Sequence, residues 1–177
     1  MNITLKKLVM KKGHDVRAIA NLVLDHCEAK GLPVTNLQIN KIIYFMHVDW
    51  IAEFGQPLVS AKIEAWQYGP VFREVFNQFK VYGRNEIEGR AKKVDYDTGL
   101  KIDAKSSLDP ESERFARSLV DFYSGMPAGL LVDLSHVKGG AWDVVWHHSG
   151  EFNVGMEITN DIIVECQISK RQKVKEN

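Results

Sequence analysis

Cysteine is nearly absent. Only Cys27 and Cys166 occur, so there is no disulfide framework to read and no Cys-x-x-Cys pair of the kind that holds structural zinc. An excess of one charge is also missing: Lys+Arg and Asp+Glu both number 23. Without a basic surplus no global field gathers phosphates, which argues against direct nucleic-acid binding. No run approaches the ~20 apolar residues of a membrane span. The N-terminus, MNITLKKLVMKKGHD, has no apolar core long enough for a secretory signal. A cytoplasmic protein with no membrane partner is expected. Phosphate-binding loops, dinucleotide fingerprints, zinc-protease helices and nucleophile elbows are all lacking, which removes the most recognisable enzyme classes.

What is present is ordinary globular material. Hydrophobic residues make up 45% and charged residues 26%, and 177 residues suit one domain with its own core. The expected division is an N-terminal extension over 1–13, a single domain over 14–169 and a basic tail over 170–177. Lys6, Lys7, Lys11 and Lys12 at one end, and Lys170, Arg171, Lys173 and Lys175 at the other, read as solvated termini.

The periodicity is mainly helical. Val16, Ile19, Ala20, Val23, Leu24 and Cys27 share one face of a helix predicted over 14–30, with Gly31 and Pro33 beyond its end. Cys27 on that face reads as a small buried hydrophobe. Thr35 and Gln38 form a capping box for a second helix running to Phe54 and stopped by Gly55. That helix is apolar on most of its circumference, which marks a central element. Residues 56–68 read as an extended connector, and Pro70 as the first residue of a further helix carrying Val71, Val75, Phe76 and Phe79. A minor β-hairpin or extended segment is predicted around 84–106, with Asp97-Thr98-Gly99 between Lys92–Tyr96 and Leu100–Asp103. Asp109 and Pro110 start another helix, whose inner face is Phe115, Leu119, Val120 and Tyr123. Shorter helices are predicted over 127–136 and 141–146, and a last one after Thr159. The fold class is therefore mainly α, one compact helical domain.

Candidate chemistry is sparse. Neighbouring His147 and His148 cannot aim at one ion from a helix, so no metal and no cofactor are expected. A small hydrolase or nuclease using His136, oriented by Asp133 or Asp143, is the competing reading, but the sequence supplies no nucleophile beside it. Trp66 and Tyr68, set against Gly69-Pro70, are either a packing brace or a binding surface. Tyr68 suits a surface, since its ring is apolar and its tip polar. Lys41, alone on an apolar helix, either snorkels outward or holds the carbonyls of that corner.

Three stretches carry a resemblance. "TNLQINKIIYF" supplies Leu37, Ile39, Lys41, Ile42, Ile43 and Tyr44 after a Thr cap, with Gln38 and Asn40 departing from the usual Lys and Gln. "AWQYGPV" supplies Ala65, Trp66, Tyr68, Gly69, Pro70 and Val71. "LSHVKGGAW" supplies Leu134, Ser135, His136 and Trp142, with Ser for the commoner Thr. In this order, over about 14–168, the chain resembles the Panacea domain, the SocA-like antitoxin family of bacteria and their phages. The resemblance implies a helical fold without catalysis, and a partnership with a cognate protein toxin neutralised by contact or handed to a cellular protease. Family members with an added DNA-binding domain exist; this chain has no spare length for one. Tyr68, Gly69, Pro70, Arg73 and Lys41 are the candidate partner-binding residues. Trp66, Tyr44, His136 and Trp142 are the candidate structural ones, and His136 and Trp142 are expected to pack against the Trp66–Pro70 corner.

Overall fold

The computed structural model describes residues 13–148 and 156–175. Its helices are α1 (Val16–Glu28), α2 (Asn36–Phe54), α3 (Arg73–Phe79), α4 (Pro110–Ser124), α5 (Ala128–Ser135), α6 (Ala141–Trp146) and α7 (Asn160–Lys175). Two antiparallel pairs interrupt them, β1 (Ile63–Trp66) with β2 (Gly69–Phe72), and β3 (Lys92–Val94) with β4 (Lys101–Asp103). The basic residues at 6–12 lie outside the described residues.

Local signals set the helix starts. The Asp15 carboxylate caps α1 by accepting the Arg17 N–H at 2.9 Å. Thr35 and Gln38 close the capping box of α2 from both sides. Asp109 accepts the N–H groups of Glu111 and Ser112 ahead of Pro110, which sits where a missing N–H costs nothing. Gly55 ends α2 with φ 64°, a left-handed position that favours glycine.

The central helix is α2. It packs against α1, α3, α4, α5, α7 and β2, and Ile39, Ile42, Ile43, Met46, Trp50 and Ile51 along it are all buried. Charged and polar groups on α2 serve as ties. His47 donates its Nε2–H to Asn160 Oδ1 at 2.8 Å, while its Nδ1 accepts the Val59 N–H at 3.3 Å. Asp49 accepts the Tyr123 hydroxyl of α4 at 2.5 Å. Cys27 is buried, and burial pushes its thiol above the usual range, which leaves it a packing residue.

One sequence expectation fails. Pro70 does not start a helix: it lies within β2, and α3 begins three residues later at Arg73. The register pairs Ile63 with Phe72, Glu64 with Val71, Ala65 with Pro70 and Trp66 with Gly69. Ala65 sends its N–H to Met156 O at 2.8 Å on the far side of β1. The Ala65–Pro70 pair therefore exchanges no ladder bonds, and a proline fits there at no loss.

The second hairpin falls within the predicted segment, with register Lys92–Asp103, Lys93–Ile102 and Val94–Lys101. Its strands are almost wholly exposed, and Tyr96 near its tip is 100% exposed. One side chain of α1 fixes its neck. The buried Asn21 amide donates to Ala91 O at 2.9 Å and Ala104 O at 2.8 Å, and its Oδ1 accepts the Ala91 N–H at 2.7 Å. Both amide hydrogens and the carbonyl oxygen are thereby used. An Asn21→Ala change should cost about 1–3 kcal/mol, the penalty of buried partners left unpaired, and should speed hydrogen exchange at the Ala91 amide. Unchanged protection at Ala91 would show that the neck is held by other contacts.

Candidate functional site

Among the described residues the second strand of the first hairpin has no neighbouring strand on its outer edge; α2 takes that place with side chains. Lys41 Nζ donates to Pro70 O at 2.7 Å, and Asn40 Oδ1 accepts the Phe72 N–H at 3.0 Å. Residues 70 and 72 point the same way from a strand, so two consecutive side chains of α2 satisfy the edge that β1 cannot reach. Asn40 is itself held by Asn36, donating to its backbone O at 2.9 Å and its Oδ1 at 3.0 Å. Asn36 in turn donates to Phe76 O in α3 at 3.1 Å. The sequence reading left Asn40 and Asn36 without a role. The available signal was two asparagines four apart on one face of a helix otherwise apolar.

Lys41 is the residue that settles the corner. It is 0% exposed, so it does not snorkel; its ammonium end is committed to the Pro70 carbonyl. Burial lowers its pKa to about 7. Room for it comes from Gly69, whose φ is 95°. A Cβ at that glycine would run into Ser135 Oγ and lie 2.9 Å from Lys41 Cε. Ser135 is itself anchored, donating to Val132 O at 2.7 Å.

The third sequence block closes the other side. Trp142 donates its indole N–H to Trp66 O at 2.9 Å, where β1 ends. The His136 ring lies on Trp142, with centroids 3.7 Å apart and planes 24° apart, and Trp146 stacks on Trp142 at 5.3 Å. His136 and Trp142 thus pack at the same corner as Trp66 and Lys41. Tyr44 is buried on α2 and belongs to the core around this corner.

An acid–base role for His136 meets poor geometry. Burial, and then the Lys41 ammonium, push its imidazole below its usual value. Its Nε2 is buried without a hydrogen-bond partner among the described residues. Asp143 is engaged elsewhere, accepting the Gly139 N–H at 2.8 Å and pairing with His147 at 2.9 Å. Among the described residues no three His, Cys, Asp or Glu side chains gather to hold a metal ion, and no helix is long and apolar enough to cross a membrane.

The outward face of the corner is aromatic, with an Arg73–Glu64 ion pair along it. Glu64 accepts two bonds from Arg73, at 2.9 and 2.6 Å, and one from the Trp66 indole at 2.8 Å. Burial pushes the Glu64 carboxyl up, but the bonds from Arg73 and Trp66 outweigh it and hold it below the usual carboxylate range. The Arg73 guanidinium stands 5.5 Å from the Trp66 ring centre, and Phe76 meets that ring edge-on at 4.9 Å. Tyr68, in the turn, is 63% exposed. Trp66 is therefore a brace that also shows one side, and Tyr68 is surface.

The class defined by these features is a small helical domain that grips one β-hairpin with side chains of its central helix. Residues 39–143 match the family model described as antitoxin SocA-like, Panacea domain, and the chain belongs to that family. It is similar to antitoxin SocA of Caulobacter vibrioides (strain NA1000 / CB15N), 35% identical over 150 residues that cover 84% of this chain and 80% of that protein. No solved structure matches the chain.

Two measurements test the corner. Gly69→Ala should lower the unfolding free energy by about 1–3 kcal/mol from its positive φ alone, with further loss from crowding against Ser135; urea denaturation reads the difference. For Lys41, both folded and unfolded amines are protonated below about pH 7. Between that value and the ordinary lysine pKa the unfolded chain holds the extra proton, so stability rises with pH across this window. The stability of the wild type relative to Lys41→Met should climb from pH 7 to pH 10, by no more than about 1.4 kcal/mol per unit. A flat difference would show that the amine keeps its normal pKa.

Proposed function

We propose that this protein is a cytoplasmic antitoxin that neutralises a cognate protein toxin by binding it, with the β1–β2 turn at the centre of the contact. Family membership supports the antitoxin role. The observation that carries the location is the composition and rigidity of the turn. Tyr68 is presented on a hairpin whose far strand is tied to α2 by Lys41 and Asn40. Arg73 and Trp66 beside it are already locked together through Glu64. Tyr, Trp and Arg are the residue types that dominate binding energy at protein interfaces, and here an exposed Tyr and Arg and a half-buried Trp are held so that little side-chain entropy remains to be lost. In this reading Tyr68 and Arg73 face the toxin, while Gly69 and Pro70, buried in β2, and Lys41 act from behind by fixing the strand.

Co-expression with the adjacent open reading frame is the test. That neighbour should arrest growth alone and be harmless beside this protein; a neighbour harmless by itself removes the antitoxin reading. Tyr68→Ala should weaken binding of the purified toxin at least about tenfold, equivalent to roughly 1.4 kcal/mol, with no change in melting temperature because the ring is exposed. Toxin half-life in the same cells separates the two modes of action. A stable, inactive toxin means occlusion, and accelerated loss means delivery to a cellular protease.

A further inference from the structure

Beside the Tyr68 turn lies a cleft of about 400 Å³ between the start of α2 and the β1–β2 hairpin. Leu37, Trp66, Tyr68, Val71 and Phe76 form its walls, and Lys41 is the one formally charged residue in its lining. We propose that this cleft receives an aromatic side chain of the toxin, together with an adjoining aliphatic one, and that this insertion is the anchor of the complex. The inference rests on the antitoxin reading and adds the chemistry of what the partner must present.

Size comes first. An apolar void of about 150 Å³ holds a benzene ring, so a cleft of about 400 Å³ takes one ring and a neighbouring branched side chain, and leaves no place for a folded element. Polarity is next. The asparagines of α2 that reach the cleft have their amides engaged, Asn40 with Phe72 and Asn36 and Asn36 with Phe76. An apolar occupant therefore strands few polar groups. Charge then selects against basic groups: no described carboxylate lines the cleft, and the nearby Glu64 is already taken by Arg73 and the Trp66 indole. A lysine or arginine entering would be desolvated without a counter-ion. An uncharged ring suits the walls.

The walls are also in place before the partner arrives. Trp66 is fixed at its indole N–H by Glu64, at its ring by Phe76 and at its carbonyl by Trp142. Leu37 projects from the first turn of a helix capped from both sides and is 39% exposed. A large aliphatic group left half-exposed at the mouth of a rigid apolar cleft is what a knob-and-hole contact requires, and pockets of this kind hold the strongest contacts of interfaces.

The experiment uses the full chain and the toxin identified by co-expression. Leu37→Glu places a carboxylate in the wall, and Leu37→Trp fills the mouth without charge. Both sit near a helix start on an exposed position, so circular dichroism should report an unchanged melting temperature. Leu130→Glu, an exposed apolar position on α5 away from the cleft, is the control. Both Leu37 variants should bind toxin at least tenfold more weakly than wild type, while the control binds normally. One exposed aromatic residue of the toxin should show a matching loss on change to alanine, and no further loss against Leu37→Trp. If both Leu37 variants bind and neutralise as wild type does, the anchor lies elsewhere and this inference is overturned while the antitoxin reading stands. If wild type itself neither binds nor neutralises, the antitoxin reading falls and the cleft proposal falls with it.

Discussion

The fold depends on how an unpaired strand edge is satisfied. A two-stranded hairpin leaves half its backbone groups without partners, and burying such an edge costs free energy for each group left bare. Here the buried edge belongs to β2, and no third strand among the described residues covers it. The central helix supplies Lys41 and Asn40 instead, one donor and one acceptor on consecutive residues. Each is set to the spacing of a carbonyl and an amide two residues apart. A charge-capable amine in a core is otherwise expensive, and its presence on an apolar helix follows from this one task. Gly69 follows in turn, because the lysine needs the space that any side chain there would fill.

From that constraint the rest of the corner can be followed. With β2 fixed to α2, the turn at Gln67 and Tyr68 is carried outward as a rigid projection. The β1 strand, paired to β2, is gripped on its other edge by Met156 and Ile158, whose backbones exchange bonds with Ala65 and Ile63. Trp142 then meets the carbonyl at the end of β1, and its stack with His136 and Trp146 extends the brace across α5 and α6. Residues far apart in sequence are thus parts of one device. The resemblance blocks seen in the sequence correspond to its helix, its hairpin and its back wall.

Much of this was legible beforehand. Capping residues and glycine stops located α1, α2 and α4 because those signals are local: one hydroxyl or carboxylate meeting amides two or three residues away. The hairpin at 92–103 could be read from alternation about Asp-Thr-Gly, for the same reason. Pro70 misled because a proline's missing N–H is equally at home at a helix start and at a non-bonded position of a strand. Only the pairing of Ala65 with Pro70, a contact between separate segments, decides between them. Lys41 was noticed as anomalous and left between solvent and the carbonyls of the Trp66–Pro70 corner, since nothing local decides between water and a carbonyl 29 positions on. Asn36, Asn40 and Asn21 went unassigned because the sequence does not say which backbone an asparagine will reach.

The neck of the second hairpin has a separate consequence. The Asn21 amide of α1 ties Ala91 and Ala104, Arg90 pairs with Asp25 and Glu28 beside it, and Gln78 takes the Lys92 N–H, while the strands beyond are almost wholly exposed. The hairpin is thus held at its base and projects into solvent. Residues added at its tip would cost little, because loop closure grows only slowly more costly with length. The molecule therefore carries a replaceable cartridge on a permanent socket.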